Sequence, residues 1–329
     1  MDKFSNKSSN HLSNKSSNHL SNKLSNKLSK LLVCTDLDRT LIPNGTQPES
    51  DSARGYFKYL VAQPQVTFAY VTGRHLELVE QAIADYDLPK PNFIIADVGS
   101  SLYQQNHQPE QQLVPSDYWQ RVKSWDDHLA VDWQQKTALE LAEWVTNIEH
   151  CHLQEAEKQG LHKLSLYIDL DAEIDAVIAQ VKEKFAATHL QANFIWSIDE
   201  QADIGLLDIL PSCANKYQAI AFLMEHQAFS LENTIFSGDS GNDRDVLVSP
   251  INSVLVANAH MELKQDLSCA LEKEERESGK NRSSLYIAQG NFLGMNGNYS
   301  AGIIEGIYHY FPGYLSIFIA QSDSNSPSA

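Results

Sequence analysis

Five short apolar runs punctuate the chain: Leu31–Thr35 (LLVCT), Val66–Val71 (VTFAYV), Phe93–Ala96 (FIIA), Thr234–Ser237 (TIFS) and Ser253–Ala257 (SVLVA). Unbroken apolarity over so short a stretch marks a strand covered on both faces. Leu76, Val79, Ile83 and Tyr86 recur at helical spacing after the second run, and Tyr217, Ile220, Ala221 and Met224 before the fourth. Strand and helix alternating in this way predict an α/β fold, a doubly wound parallel sheet with helices on both faces.

The middle of the chain has a different rhythm. Leu164, Leu166, Ile168 and Leu170 alternate with Lys163, Ser165, Tyr167 and Asp169, the pattern of a strand with one open face. Ile174, Val177, Ile178, Val181 and Phe185 then follow a helical period, and two more strand-like runs occupy Asn193–Ile198 and Ile204–Leu210. This predicts a small α+β domain inserted at 111–211, between core segments 31–110 and 212–312. Trp119, Trp125, Trp133 and Trp144 fall in its first part and are expected on helices as packing residues. Residues 313–329 read as a C-terminal tail.

Residues 1–30 are a repeat: SNKSSNHL stands at 5–12 and again at 13–20, followed by SNKL twice. Leu12, Leu20, Leu24 and Leu28 would share a helical stripe, but Ser and Asn between them compete for backbone hydrogen bonds. A solvated tail is expected; a partner-docking helix is the alternative.

Charge narrows the function classes. The net charge of −17 is +5 on residues 1–30 (six Lys, one Asp) together with −22 on residues 31–329. So acidic a body excludes a general basic surface for nucleic acid or an anionic membrane. Four scattered Cys form neither a disulfide framework nor a zinc pattern, which fits a cytoplasmic setting. No apolar run approaches a membrane span.

The chemistry gathers at strand ends. Asp36-Leu37-Asp38-Arg39-Thr40 directly follows the first strand, and ligands of open parallel sheets bind beyond such carboxyl ends. Two Asp spaced by two offer a nucleophile and a general acid–base, or else merely an Asx turn. Thr72-Gly73-Arg74 ends the second strand at a helix start, which suits an anion. Asp239-Ser240-Gly241-Asn242-Asp243 follows the fourth strand with oxygen ligands for a hard cation. Lys216 opens a helix after the insertion and could neutralise a carboxylate or phosphate there. His75 and His162 flank these features and read as satisfied or solvated; Cys34 reads as core and Cys213 as incidental.

DLDRT, VTGR, NK and GDSGND, in that order, resemble the haloacid dehalogenase superfamily of phosphatases. The insertion between the second and third motifs is similar to the α/β (type IIB) cap. Asp97–Tyr103 (DVGSSLY), VANA at 256–259 and SAGIIEGIYH at 300–309 further resemble the sucrose-phosphate phosphatase family. The resemblance implies a Rossmann-like core with an inserted α+β cap, and a Mg²⁺-dependent sugar-phosphate phosphatase whose substrate is sucrose 6-phosphate. Alternatives are another glycosyl or polyol phosphate of the mannosyl or glucosyl-glycerol type, a phosphomutase, or a protein docking on a sucrose-phosphate synthase. It implies that Asp36 attacks phosphorus, Asp38 protonates the leaving oxygen, and Thr72 and Lys216 hold phosphoryl oxygens. Metal would sit on Asp36, Asp38, Asp239 and Asp243, supported by Asn242. Substrate contacts are expected from Thr40, Gly73, Arg74, Gly99, Ser100, Ser101, Lys163 and Asn242. Arg39 stands where many relatives have Gly or Asn, and Ser100-Ser101 where many have Thr-Glu. The expected partner is a small-molecule sugar phosphate, with no nucleic acid and no membrane, and a monomeric state.

Overall fold

The computed structural model describes residues 28–106, 118–199, 202–278 and 284–319. Two sheets organise them. Strands β1 (Leu31–Thr35), β2 (Val66–Val71), β3 (Phe93–Ala96), β4 (Ser101–Gln105), β5 (Trp119–Arg121), β10 (Thr234–Gly238), β11 (Asn252–Leu255) and β12 (Leu285–Ile287) form an eight-stranded sheet in the order β12-β11-β10-β1-β2-β3-β4-β5. The pairs from β12 to β3 are parallel, and β4 and β5 add an antiparallel edge. A second sheet holds β6 (Cys151–Leu153), β7 (Leu164–Ile168), β8 (Ala192–Asp199) and β9 (Ile204–Pro211) in the antiparallel order β6-β7-β9-β8.

Both faces of the large sheet are covered because both faces of its strands are apolar. Leu31 and Val33 face α1 (Ala53–Val61) and α9 (Ser300–Tyr310) through Phe57, Leu60, Ile303 and Ile307. Leu32 and Cys34 face α3 (Lys123–Asp132) and α6 (Lys216–His226) through Trp125, Leu129, Ile220 and Leu223. Of the remaining helices, α2 (Leu76–Asp85) packs on the α1 side, α7 (Arg244–Leu247) and α8 (Met261–Ser278) on the α6 side. The small sheet carries its hydrophobic core on one face only. Leu164, Leu166 and Ile168 pack on α4 (Ala138–Val145) and α5 (Ile174–Ala186), while Lys163, Ser165 and Tyr167 take the other face.

Three features depart from the sequence expectations. β5 pairs with β4 in the large sheet and Trp119 and Trp125 sit in its two cores, so the inserted layer opens near Trp133 rather than at 111. One apolar face per element could not tell which sheet it joins. Trp119 lies on a strand, and of these four only Trp133 and Trp144 pack in the small layer. Residues 313–319 are not a free tail: Tyr314, Ile317 and Phe318 are buried on the large core. The Tyr314 hydroxyl donates to the Ser29 carbonyl at 2.8 Å, and Leu28 packs against the same core. Residues 1–27 and 320–329 lie outside the described ones. Among the described residues no helix is long and apolar enough to cross a membrane.

Candidate active site

β1 lies between β10 and β2, the point where the chain's progression across the sheet reverses. The carboxyl ends of three adjacent parallel strands therefore stand side by side, one strand spacing apart. Each carries one sequence motif, so Asp36, Thr72 and Asp239 converge although they are far apart in the chain. A crevice of about 330 Å³ opens there, lined by Asp36, Asp38, Arg39, Thr72, Arg74 and Asp239 among others.

The deep end is built around Lys216, only 1% exposed. Its ammonium lies 2.6 Å from Asp243 Oδ1, 2.9 Å from Asn242 Oδ1 and 3.2 Å from Asp36 Oδ1. Lys216 can be so placed because Gly99 lets the backbone close in. A Cβ on Gly99 would lie 2.5 Å from the Asn215 carbonyl carbon, and its φ of +101° favours glycine as well. Asn215 caps α6, accepting from the Gln218 amide at 2.8 Å.

Asp243 serves as an anchor. Its second oxygen accepts the Asp239 and Ser240 amides at 3.0 and 3.1 Å and so folds the GDSGND loop. Gly238 makes room, since a Cβ there would meet Asp243 Oδ2 at 2.5 Å. Asp239 is held by the Thr40 hydroxyl at 3.1 Å and by Arg39 Nε at 3.2 Å. One lysine cannot neutralise so many buried carboxylates. Burial pushes Asp36 up to about 8, against the pull of Lys216, and Asp239 up to about 6. Lys216 is itself raised: burial opposes its charge, but Asp243 and Asp36 outweigh it. Asp36, Asp239 and Asp243 bring one oxygen each to within 4.8 Å of one another. An all-oxygen, carboxylate-rich donor set with elevated proton affinity fits a hard divalent cation.

The outer end is arranged differently. Asp38 receives Arg74 Nη2 on one oxygen at 2.6 Å and Nε on the other at 2.8 Å, a two-pronged ion pair, while Asn44 donates to it at 2.7 Å. Burial alone would raise the Asp38 carboxyl, but the Arg74 and Asn44 bonds outweigh it and hold it below the ordinary range. The expected substrate contact Arg74 thus faces Asp38. Thr72, 1% exposed, accepts the Arg74 amide through its hydroxyl at 3.2 Å. Gly73 is exposed, and a Cβ there would meet only Val98 at 3.8 Å.

The loop after β3 closes one side. Asp97 and Val98 take positive φ of 51° and 57°, uncommon for an aspartate and an outlier for valine. The Asp97 and Val98 amides bond back to the Arg74 and Thr72 carbonyls at 3.0 and 3.1 Å, tying this loop to the anion loop. Ser100 is buried and donates its hydroxyl to the Asp97 carbonyl at 3.0 Å. Ser101 accepts from Arg121 at 3.3 Å. The Ser100 hydroxyl is thereby engaged within the loop and the Ser101 hydroxyl by Arg121 of β5. From the small sheet, Lys163 reaches across: its ammonium lies 3.5 Å from Asp97 Oδ1 and 3.6 Å from Asp208 Oδ2. Burial raises the Asp97 carboxyl, with Lys163 pulling the other way. Asp97 was visible in the sequence only as part of DVGSSLY. Asn44 and the Arg39–Asp239 pair carried no sequence signal. Asn258, in VANA, donates to the Arg39 carbonyl at 2.6 Å and accepts the Tyr299 amide at 2.8 Å, clamping the first motif to α9. His75 pairs with Glu77 at 2.7 Å, and Cys34 is buried in the sheet, as the sequence indicated.

A doubly wound core, an inserted α+β layer, and carboxylates at two adjacent strand ends beside a Thr-Gly-Arg turn at a third define a haloacid dehalogenase-type phosphatase. The family model of sucrose-6F-phosphate phosphohydrolase matches residues 29–311, and the chain belongs to that family. It is a phosphoric monoester hydrolase. A protein of Nitrosococcus oceani described only as a HAD-like hydrolase is 44% identical over 283 residues, 86% of this chain and 72% of that one. Mannosylfructose-phosphate phosphatase of Agrobacterium fabrum is 25% identical, covering 85% of this chain and 96% of its own. Among solved structures, the sucrose-phosphatase of Synechocystis in complex with sucrose and phosphate aligns with a TM-score of 0.59 at 25% identity, over 86% of this chain and 98% of that one.

Proposed function

We propose that this phosphatase hydrolyses sucrose 6-phosphate through an aspartyl-phosphate on Asp36, with Mg²⁺ as cofactor. The observation that carries the reading is the buried grouping of Asp36 with Lys216 and Asp243 beneath Asp38, in a family of sucrose-phosphate phosphohydrolases. Asp36, Asp239 and Asp243 would hold the ion, which when bound supplies charge neutralisation to the transferring phosphoryl group.

The chain's own residues do the rest. Asp36 Oδ forms a bond to phosphorus as the bond from phosphorus to the sugar oxygen breaks. Asp38 donates its proton to that oxygen, so alcohol leaves rather than alkoxide. Asp38 then takes a proton from water, the water oxygen bonds to phosphorus, and the Asp36–phosphorus bond breaks. Lys216 and Thr72 hold phosphoryl oxygens. Asp38 is ionised while Arg74 grips it, so acting as an acid requires Arg74 to leave it. A substrate phosphoryl group offers Arg74 the equivalent two oxygens.

The sugar is decided at the outer end. Lys163, delivered by the small sheet, is a phosphate or hydroxyl partner once it leaves Asp97. The Agrobacterium relative supports a second reading, in which a mannosyl-fructose phosphate is the substrate. A monomer acting on a free sugar phosphate fits this scheme, and docking on a sucrose-phosphate synthase is compatible with it. Phosphate release should be measured on sucrose 6-phosphate, mannosylfructose phosphate and glucosylglycerol phosphate, with and without EDTA. Highest kcat/KM on sucrose 6-phosphate, abolished by EDTA and restored by Mg²⁺, is expected. Preference for either other sugar would overturn the substrate, and EDTA-resistant turnover the cofactor.

A further inference from the structure

A second convergent group lies on the small sheet, far from the crevice. Edge strand β6 pairs with β7, placing Cys151 opposite Ile168 and His152 opposite Tyr167. The Asp169 amide bonds the His150 carbonyl at 3.1 Å, so His150 and Asp169 face each other one step further on. Side chains two apart on a strand share a face. His150, His152 and Asp169 therefore lie together on the open face, that of Tyr167, while Cys151 turns into the core.

Both imidazoles aim at one oxygen. His150 Nδ1 is 3.1 Å and His152 Nε2 3.4 Å from Asp169 Oδ2. A carboxylate oxygen of Asp171 joins Asp169 and His150 with all their donor atoms within 4.8 Å of one another. Glu149 approaches His150 Nε2 at 4.0 Å. Among the described residues, Asp169 forms ion pairs with these two histidines and with no lysine or arginine.

We infer that His150, His152, Asp169 and Asp171 form a zinc-class metal site that clips β6 to β7. Two imidazole nitrogens and two carboxylate oxygens are the donors that borderline cations such as Zn²⁺ select, and Mg²⁺ and Ca²⁺ do not. Metal–ligand bonds of about 2.0–2.1 Å in a tetrahedron set neighbouring donors roughly 3.4 Å apart. The two measured separations lie at or just under that edge length; His150, Asp169 and Asp171 already converge, and His152, 3.4 Å from Asp169, turns in to complete the set. The site is separate from the phosphatase centre. Asp169 lies six positions along the chain from Lys163, roughly 20 Å of extended strand. The inference therefore stands or falls independently of the substrate and of the Asp36 chemistry. A three-residue edge strand is weakly held by its own ladder, and a metal joining it to its neighbour stiffens the inserted layer.

The test is calorimetric titration of Zn²⁺ into the full-length, chelator-stripped protein in excess Mg²⁺. It is repeated on Asp239→Asn, which breaks the carboxylate cluster of the crevice, on His152→Ala, and on His150→Ala/His152→Ala. His152 is 62% exposed, so its truncation does not threaten folding. One Zn²⁺ is expected in the parent and in Asp239→Asn, with affinity reduced about 10–100-fold or more in the histidine variants. Co²⁺ in the same site should give the intense visible bands of tetrahedral coordination, absent in the double variant. Equal Zn²⁺ uptake by the parent and both histidine variants, or loss of uptake with Asp239→Asn, would overturn the site. So would the absence of any Zn²⁺ uptake by the parent.

Discussion

The two ends of the crevice differ in how they are held. At the deep end Asp36, Lys216 and Asp243 are nearly or wholly buried, and each sits on a backbone closed by a glycine or an amide bond. At the outer end Asp38, Arg74 and Lys163 are longer-range actors paired with protein partners: Asp38 with Arg74, and Lys163 with Asp97 and Asp208. The deep end is arranged for charge neutralisation before any ligand arrives, which is how electrostatic preorganisation works. The outer end must exchange protein partners for ligand, which suits an inserted layer that closes over the crevice.

The sharpest break in this comparison comes from Asp36→Asn. Asn keeps the shape and relieves a buried carboxyl, so the variant should fold and melt no lower than the parent. Phosphate release should fall to background because the nucleophile is gone. Retention of most activity by a folded Asn variant would remove Asp36 from covalent catalysis and make the deep end purely structural.

Asp38→Ala acts at the other end and should cost about 10²–10⁴-fold in kcat on sugar phosphates. An aryl phosphate, whose leaving group needs no proton, should still release its phenol in a burst, after which turnover stalls because hydrolysis of the aspartyl-phosphate also needs Asp38. A burst lost equally on both substrates would mean that Asp38 mainly holds Arg74 in place.

Lys163→Met separates grip from latch. If Lys163 exchanges Asp97 for the sugar phosphate, the lost charged hydrogen bond of about 1.5–3 kcal/mol should lower kcat/KM for that substrate by roughly 10–100-fold. Aryl phosphate, small enough to react beneath an open cap, should change little. Equal changes for both would make the Lys163–Asp97 contact a fixed strut between the layers.

The same division explains what the sequence disclosed. The deep end was legible because Asp36 and Asp239 stand at the ends of apolar runs, Asp243 belongs to the same short motif as Asp239, and Lys216 opens the helix after the insertion; β10, β1 and β2 lie side by side in the sheet. β1, β2 and β3 begin and end where the apolar runs do. The long-range side-chain partners were not legible at either end. Arg74 on Asp38, Arg39 on Asp239 and Lys163 on Asp97 are long side chains meeting across loops, and no periodicity encodes such a meeting. The start of the inserted layer was misplaced for a related reason. Trp119 and Trp125 look like the apolar side of any element, and only strand pairing assigns them to the large sheet. Leu28 was hidden by the Ser and Asn around it, whereas Phe318 stands in the short apolar run YLSIFIA, whose place beside the polar QSDSNSPSA made it read as part of a tail.

The smallest expected effect concerns the charge balance of the deep end without metal. Asp36 is raised from its ordinary 3.8 to about 8, and Asp239 from 3.8 to about 6. A carboxyl raised on folding binds more protons in the folded than in the unfolded chain. Its contribution to stability is complete below the unfolded value and is lost as pH rises through the folded value. The metal-free protein should therefore lose stability between about pH 4 and pH 8, first through Asp239 and then through Asp36. Mg²⁺ acts in the opposite sense, since it binds the ionised carboxylates and adds stability by mass action. The rise in Tm on adding Mg²⁺ should then be larger at pH 8 than at pH 5, by a few degrees. An Asp36→Asn/Asp239→Asn variant should flatten the metal-free pH slope and lose the Mg²⁺ response together. A Mg²⁺ shift in the parent that is equal at both pH values would show that the two carboxyls are already ionised at pH 5. Lys216 and Arg39 would then neutralise the deep end unaided, and the contrast with the outer end would rest on burial alone.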